Sequence, residues 1–141
     1  METAIRTFFA NPRFAVVGAS SDTAKYGYKV FAWYLSHGLP VTGINPKTPT
    51  ILEQQTVPGL DSLEAPSETS VSIITPPAIT LKTVERAKEL GIKVVWCQPG
   101  SENEEVLQFA KNNGITCIAN GACVLVDGEN GLKLAGRDWK L

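Results

Sequence analysis

The chain of 141 residues has little charge, a single histidine and few cysteines, and each shortage closes off a class of function. Charged residues make up 19% of it, and 13 Lys+Arg against 14 Asp+Glu leave a net charge of -1. No basic field exists to hold a nucleic acid backbone. Gly, Pro or Lys interrupts every apolar stretch well before the roughly 18 residues of a membrane helix, so no membrane partner is expected. With His37 alone, neither a Ser-His-Asp triad nor a histidine metal site can be assembled, and no metal is expected. Cys97, Cys117 and Cys123 are odd in number and form no Cys-x-x-Cys pair, which argues against structural zinc and suits a reducing compartment. A cytoplasmic setting follows. The start METAIRTFFANPRF lacks the apolar block of a signal peptide and reads as an N-terminal helix or arm, with a mitochondrial leader as the weaker alternative. What is present is 43% apolar residues, enough for one core spanning residues 1–141 as a single domain.

The order of apolar runs gives the fold class. Phe14-Ala-Val-Val-Gly-Ala19 is too short for a helix and wholly apolar, the mark of a strand covered on both faces. Tyr28 to His37 places Val30, Phe31, Tyr34 and Leu35 at helical spacing, Gly38 stops it, and Val41-Thr-Gly-Ile44 follows as a strand. The stretch from Pro46 to Pro66 yields only a short extended piece near Ile51 and a helical turn near Asp61 to Leu63. Then Val71 to Thr75 predicts a strand, Ile79 to Leu90 a helix closed by Gly91, and Lys93-Val-Val-Trp96 a strand. Ser101 with Glu104 fits a capping box before a helix through Val106 and Ala110, ended by Gly114. Three helices each ending in Gly before a new strand are the rhythm of βαβ units, which predicts an α/β, doubly wound, mostly parallel sheet with helices on both faces. The segment 124–141 breaks the rhythm. Val124-Leu-Val126, the turn Asp127 to Gly131 and Leu132-Lys-Leu134 suggest a C-terminal hairpin or tail.

In such sheets ligands bind beyond the carboxyl ends of the strands, where strand order reverses. The residues there are Gly18-Ala-Ser-Ser21, Asn45-Pro-Lys47, Thr75-Pro-Pro77, Cys97-Gln-Pro-Gly100 and Asn120-Gly121. Any one of these is ordinary turn chemistry, but five on one edge favour a ligand site. Gly18 occupies the phosphate-loop position without a complete Gly-x-Gly-x-x-Gly. After the second strand, where NAD enzymes keep an acid for the ribose, stands Asn45-Pro46-Lys47, a cation suited to a phosphorylated ribose as in coenzyme A or NADP. From Thr23 to Leu52 there is no Asp or Glu, while Lys25, Lys29 and Lys47 are present. Lys25 and Lys47 are the better ligand candidates, since Lys29 suits a solvated helix face. His37 fits a helix C-terminal role, Glu102, Glu104 and Glu105 fit helix-dipole partners, and no catalytic set is found.

These loops resemble the CoA-binding domain family, found at the N-terminus of the succinyl-CoA synthetase alpha subunit and as small stand-alone proteins. The resemblance rests on Val16-Val-Gly-Ala-Ser20, Lys25-Tyr-Gly27, Gly43-Ile-Asn-Pro-Lys47, Thr75-Pro-Pro77 and Gly91-Ile-Lys-Val-Val-Trp-Cys-Gln-Pro-Gly100 with Asn103-Glu104, and it extends to about Cys123. It implies a Rossmann-type domain in which Gly18, Ala19, Ser20 and Ser21 line nucleotide phosphates and Lys25, beside Tyr26, supplies charge together with Lys47, behind Asn45 and Pro46. It further implies that Thr75, Pro76 and Pro77 and then Gln98, Pro99 and Gly100 border the rest of a coenzyme A or acyl-CoA. The synthetase's phosphorylated histidine lies in another domain, so the implied function is binding through the nucleotide part without catalysis. Two alternatives stand beside it. One is a small NADP-dependent oxidoreductase with Tyr26 or Tyr28 as proton donor. The other is a ligand-sensing or thiol-regulated interaction module in which Cys97 or Cys123 forms a mixed disulfide with CoA. The aromatic cluster Phe31, Trp33, Tyr34 suits either a buried core or a homodimer face.

Overall fold

The computed structural model describes residues 1–139. Its elements run α1 (Glu2–Ala10), β1 (Arg13–Val17), α2 (Tyr26–Ser36), β2 (Val41–Ile44), a small hairpin of β3 (Thr50–Ile51) and β4 (Gln54–Gln55), β5 (Thr69–Ile73), α3 (Pro77–Leu90), β6 (Val94–Cys97), α4 (Glu104–Asn112), β7 (Thr116–Ile118) and α5 (Val124–Leu134). Short 3-10 turns at Leu60–Ser62 and Pro66–Glu68 lead into β5. The five longer strands form one parallel sheet in the order β2-β1-β5-β6-β7. The chain moves from β1 outward to β2, then returns to the other side of β1. Strand order therefore reverses between β1 and β5, and the exits of these two strands diverge there.

Alternation along β1 explains the layers. Phe14 and Val16 face a core with Phe8 and Phe9 of α1, Phe31 and Tyr34 of α2, and Leu132 of α5. Ala15 and Val17 face a second core with Val84 of α3 and Val106 of α4. Strands covered on both sides need apolar residues at successive positions, which is the pattern the sequence shows. The hydroxyls of Ser70 and Ser72 on β5 are buried but satisfied. Ser70 donates to the Phe8 carbonyl at 2.6 Å, and Ser72 pairs with the Tyr34 hydroxyl at 2.6 Å. Burial raises the Tyr34 phenol above its usual range, so it stays neutral. Phe31, Trp33 and Tyr34 all lie in the first core, so this cluster offers no free face for a second copy.

Two expectations are corrected. The segment from Val124 is a helix, not a hairpin. Its Gly128 and Gly131 are contact points, since a Cβ would stand 2.3 Å from the Trp33 ring at the first and 2.6 Å from Ile5 and Phe9 at the second. Close packing on α1 and α2 overrides the turn propensity of Asp-Gly-Glu-Asn-Gly. The cap of α4 is Asn103, whose side-chain oxygen accepts the Val106 N–H at 3.0 Å, and not Ser101. Ser101 is buried and its hydroxyl donates to the Gln98 carbonyl at 2.7 Å, closing the turn after β6.

Candidate functional site

The site begins where β1 ends. Gly18 has φ +93°, a conformation that side-chain-bearing residues rarely adopt, and a Cβ there would meet the Ile74 carbonyl oxygen at 2.4 Å. Gly27, in the first turn of α2, would place a Cβ 2.0 Å from the Gly18 carbonyl oxygen. The start of α2 therefore rests directly on the β1 exit. Helix α2 has no side-chain N-cap and no acid in its first turn, so its N-terminal N–H groups and dipole present positive potential beside Ser20 and Lys25. The intervening loop holds itself: Ser20 Oγ accepts the Asp22 N–H and Asp22 Oδ1 accepts the Ala24 N–H, each at 3.0 Å.

Asn45 joins this loop to the exit of β2. Its Nδ2 donates to the Ala19 carbonyl at 2.9 Å, while its Oδ1 accepts the N–H groups of Lys47 at 2.8 Å and Thr48 at 3.0 Å. One side chain thus fixes both loops and turns Lys47 outward into an exposed position.

Two clefts, each of about 510 Å³, meet at Gly18 and Asn45. One lies at the start of α2, bounded by Ala19, Ser20, Lys25, Tyr26 and Gly27. The other lies between the β2 exit and α3, with Pro46, Lys47 and Thr75 in its lining. Of the residues expected at a ligand site, the structure thus brings together Gly18, Ala19, Ser20, Lys25, Tyr26, Asn45, Pro46, Lys47 and Thr75. Ser21 is exposed beside them. Pro76 and Pro77 line neither cleft and instead start α3, with Pro76 as its N-cap.

Gln98, Pro99 and Gly100 also line neither cleft. Gln98 is buried, and its amide is fully engaged: Oε1 accepts the Val124 N–H at 3.1 Å and Nε2 donates to Cys123 Sγ at 3.2 Å. This glutamine seats the start of α5.

The second wall of the cleft between the β2 exit and α3 lies outside the strand-end loops. Ile79, Lys82, Thr83 and Arg86 project from α3 toward it, and Pro58 to Asp61 face them. The α3 residues recur at i, i+3, i+4 and i+7, a stripe opposite the buried Thr80, Val84 and Ala87. The Arg86 fork donates to both Asp61 oxygens, at 2.8 and 2.5 Å, and also reaches Glu89 at 3.4 Å. The guanidinium holds the Asp61 carboxyl below its ordinary range, so this acid stays ionised and paired. Lys25, Lys47 and Lys82 have no ion-pair partner among the described residues. Lys29 lies over the Tyr26 ring, with Nζ 5.6 Å from its centroid.

The remaining reactive groups sit elsewhere. His37 is buried at the far end of α2, between the Trp33 carbonyl at 2.7 Å and Glu129 at 2.9 Å. Cys97 is buried with its Sγ 3.7 Å from that of Cys117, and this contact, followed by burial, pushes the Cys97 thiol well above its usual range. A bulky thiol cannot reach it, which removes Cys97 from the mixed-disulfide reading. Glu104 and Glu105 stand in the first turn of α4 as dipole partners. No cluster of three or more His, Cys, Asp or Glu able to hold a metal occurs among the described residues, and no helix there is long and apolar enough to cross a membrane.

The geometry has close counterparts. A conserved hypothetical protein from Pyrococcus furiosus superposes with a TM-score of 0.77 at 31% identity, covering 82% of this chain and 97% of its own. A hypothetical protein from Pyrococcus horikoshii OT3 gives 0.83 at 28% identity, with 94% and 92% covered. A Thermus thermophilus structure at 22% identity shares the fold, with a TM-score of 0.80 and coverage of 93% and 98%. No curated protein matches the sequence. The family model described as "CoA binding domain" matches residues 12–129, which spans β1 to the middle of α5 and includes both clefts. The chain belongs to the CoA binding domain family.

Proposed function

We propose that this protein binds coenzyme A or an acyl-CoA through its 3'-phospho-ADP part, across the two clefts that meet at Gly18 and Asn45, without a reaction of its own. The observation that carries the reading is the pairing of glycine contacts with uncompensated cations. Gly18 and Gly27 bring backbone and helix start close enough to receive a diphosphate, and Lys25 and Lys47 stand beside them with no ion-pair partner among the described residues. The cleft between the β2 exit and α3 supplies apolar walls, including Ile44, Pro46 and Leu60, suited to a flat base. Residues 18–20, 25–26, 45–47 and 75 hold the nucleotide in this reading. The exposed Ser21 and the Pro76-Pro77 helix start flank its path. Gln98 to Gly100 act at a distance, through α5.

Calorimetric titration with CoA, acetyl-CoA, NADP and NAD tests this. Binding of CoA and acetyl-CoA with weaker NADP and no NAD is the expected result. Absence of CoA binding, or a preference for NADP, overturns it, and the second outcome would favour an oxidoreductase with Tyr26 as proton donor.

A further inference from the structure

The cleft between the β2 exit and α3 holds more positive charge than Lys47 alone accounts for. Arg86 is engaged by Asp61 and Glu89, and that pairing neutralises the one carboxylate in the lining. Two ammonium groups remain, on opposite walls. Lys47 is set by the Asn45 turn. Lys82 stands on α3 between Ile79 and Arg86, exposed and without an ion-pair partner among the described residues. Ile79 beside it is 51% exposed, an apolar side chain left facing the same opening. Two like charges aimed at one cleft repel unless an anion sits between them. A phosphate monoester, close to dianionic at neutral pH, meets both. The diphosphate of the same nucleotide has its own receptor in the other cleft, at Lys25 and the uncapped start of α2.

We propose that Lys82 and Lys47 close from opposite walls on the ribose monophosphate of the bound nucleotide, making Lys82 a specificity residue for CoA over dephospho-CoA. This rests on the CoA reading above and adds to it a residue outside the strand-end loops. The monophosphate of NADP shares the chemistry, so it forms a separate arm of the test.

Calorimetry with CoA, dephospho-CoA and NADP on the wild type, Lys82→Ala, Lys82→Arg and Lys88→Ala decides the matter. Lys88 is an exposed cation on the same helix outside the cleft lining, and serves as the control. In the wild type, CoA should bind more tightly than dephospho-CoA and NADP. Lys82→Ala should weaken CoA about tenfold while leaving dephospho-CoA within about twofold, as expected for loss of one charge-assisted contact. Lys82→Arg should keep the preference, and Lys88→Ala should change nothing. If Lys82→Ala leaves the ratio of CoA to dephospho-CoA affinity unchanged while the wild type still binds CoA, the inference fails and the CoA reading survives. If the wild type binds neither CoA nor dephospho-CoA, the reading itself fails. NADP bound as tightly as CoA would overturn the assigned preference.

Discussion

The two ends of the sheet's carboxyl edge are made of similar loops and serve different purposes. At the exits of β1, β2 and β5, Gly18, Asn45 and Thr75 border open clefts flanked by Lys25, Lys47 and Lys82, which have no ion-pair partner among the described residues. At the exit of β6, Gln98 is buried under the start of α5, with both ends of its amide engaged. Small and polar loop residues at strand ends thus line open clefts where chain order reverses, and form a socket for the next helix where it does not. Composition alone does not distinguish the two. The partner of each polar side chain does.

The largest expected effect comes from closing the open end. Gly27→Ala would push a methyl into the Gly18 carbonyl, and because the obstacle is backbone it should cost about 2–3 kcal/mol of stability and abolish CoA binding, read by chemical denaturation and calorimetry. Breaking the closed end should separate stability from binding. Gln98→Leu leaves the buried Val124 N–H without its acceptor, so a loss of about 2 kcal/mol is expected, with CoA affinity held within about twofold because neither Gln98 nor Val124 lines either cleft. Weaker binding in that variant than in Lys47→Ala would dissolve the comparison. Lys47→Ala should do the opposite, lowering CoA affinity about tenfold with stability unchanged within about 0.5 kcal/mol.

The smallest effect concerns Glu102, which follows the β6 turn. One of its carboxylate oxygens is buried without a hydrogen-bond partner, and burial holds the group above its ordinary range. The folded chain therefore keeps a proton that the unfolded chain releases, so the cost is absent at acid pH and grows as pH rises through that raised range. Glu102→Gln should stabilise the protein at neutral pH by no more than about 0.5 kcal/mol after solvent screening, and the gain should vanish on acidification. A pH-independent difference in melting midpoint would contradict this.

Much of the fold was legible because strands buried on both faces are continuous apolar runs, and because Gly38, Gly91 and Gly114 mark helix ends before new strands. Most residues bordering the two clefts were legible for the same reason: Gly18 to Ser20, Asn45 to Lys47 and Thr75 closely follow those strands. Three things were not. The glycines of α5 looked like turn residues because their purpose, letting Trp33, Ile5 and Phe9 approach, depends on chain more than 90 residues away. The role of Gln98 depends on Cys123 and Val124, 25 and 26 residues on. The α3 wall carried a readable stripe at Ile79, Lys82, Thr83 and Arg86, but polar residues on a helix face usually meet only water, and the opposing Pro58 to Asp61 has no regular pattern.

Backbone amide shifts on adding CoA to isotope-labelled protein test the difference between the two ends most directly. The account predicts perturbations concentrated at residues 18–27, 43–48, 58–61 and 75–86, with Gln98, Gly100, Asn120 and Gly121 little changed. Shifts centred on Gln98 to Gly100 and Asn120 to Cys123, with the β1 and β2 exits silent, would contradict it.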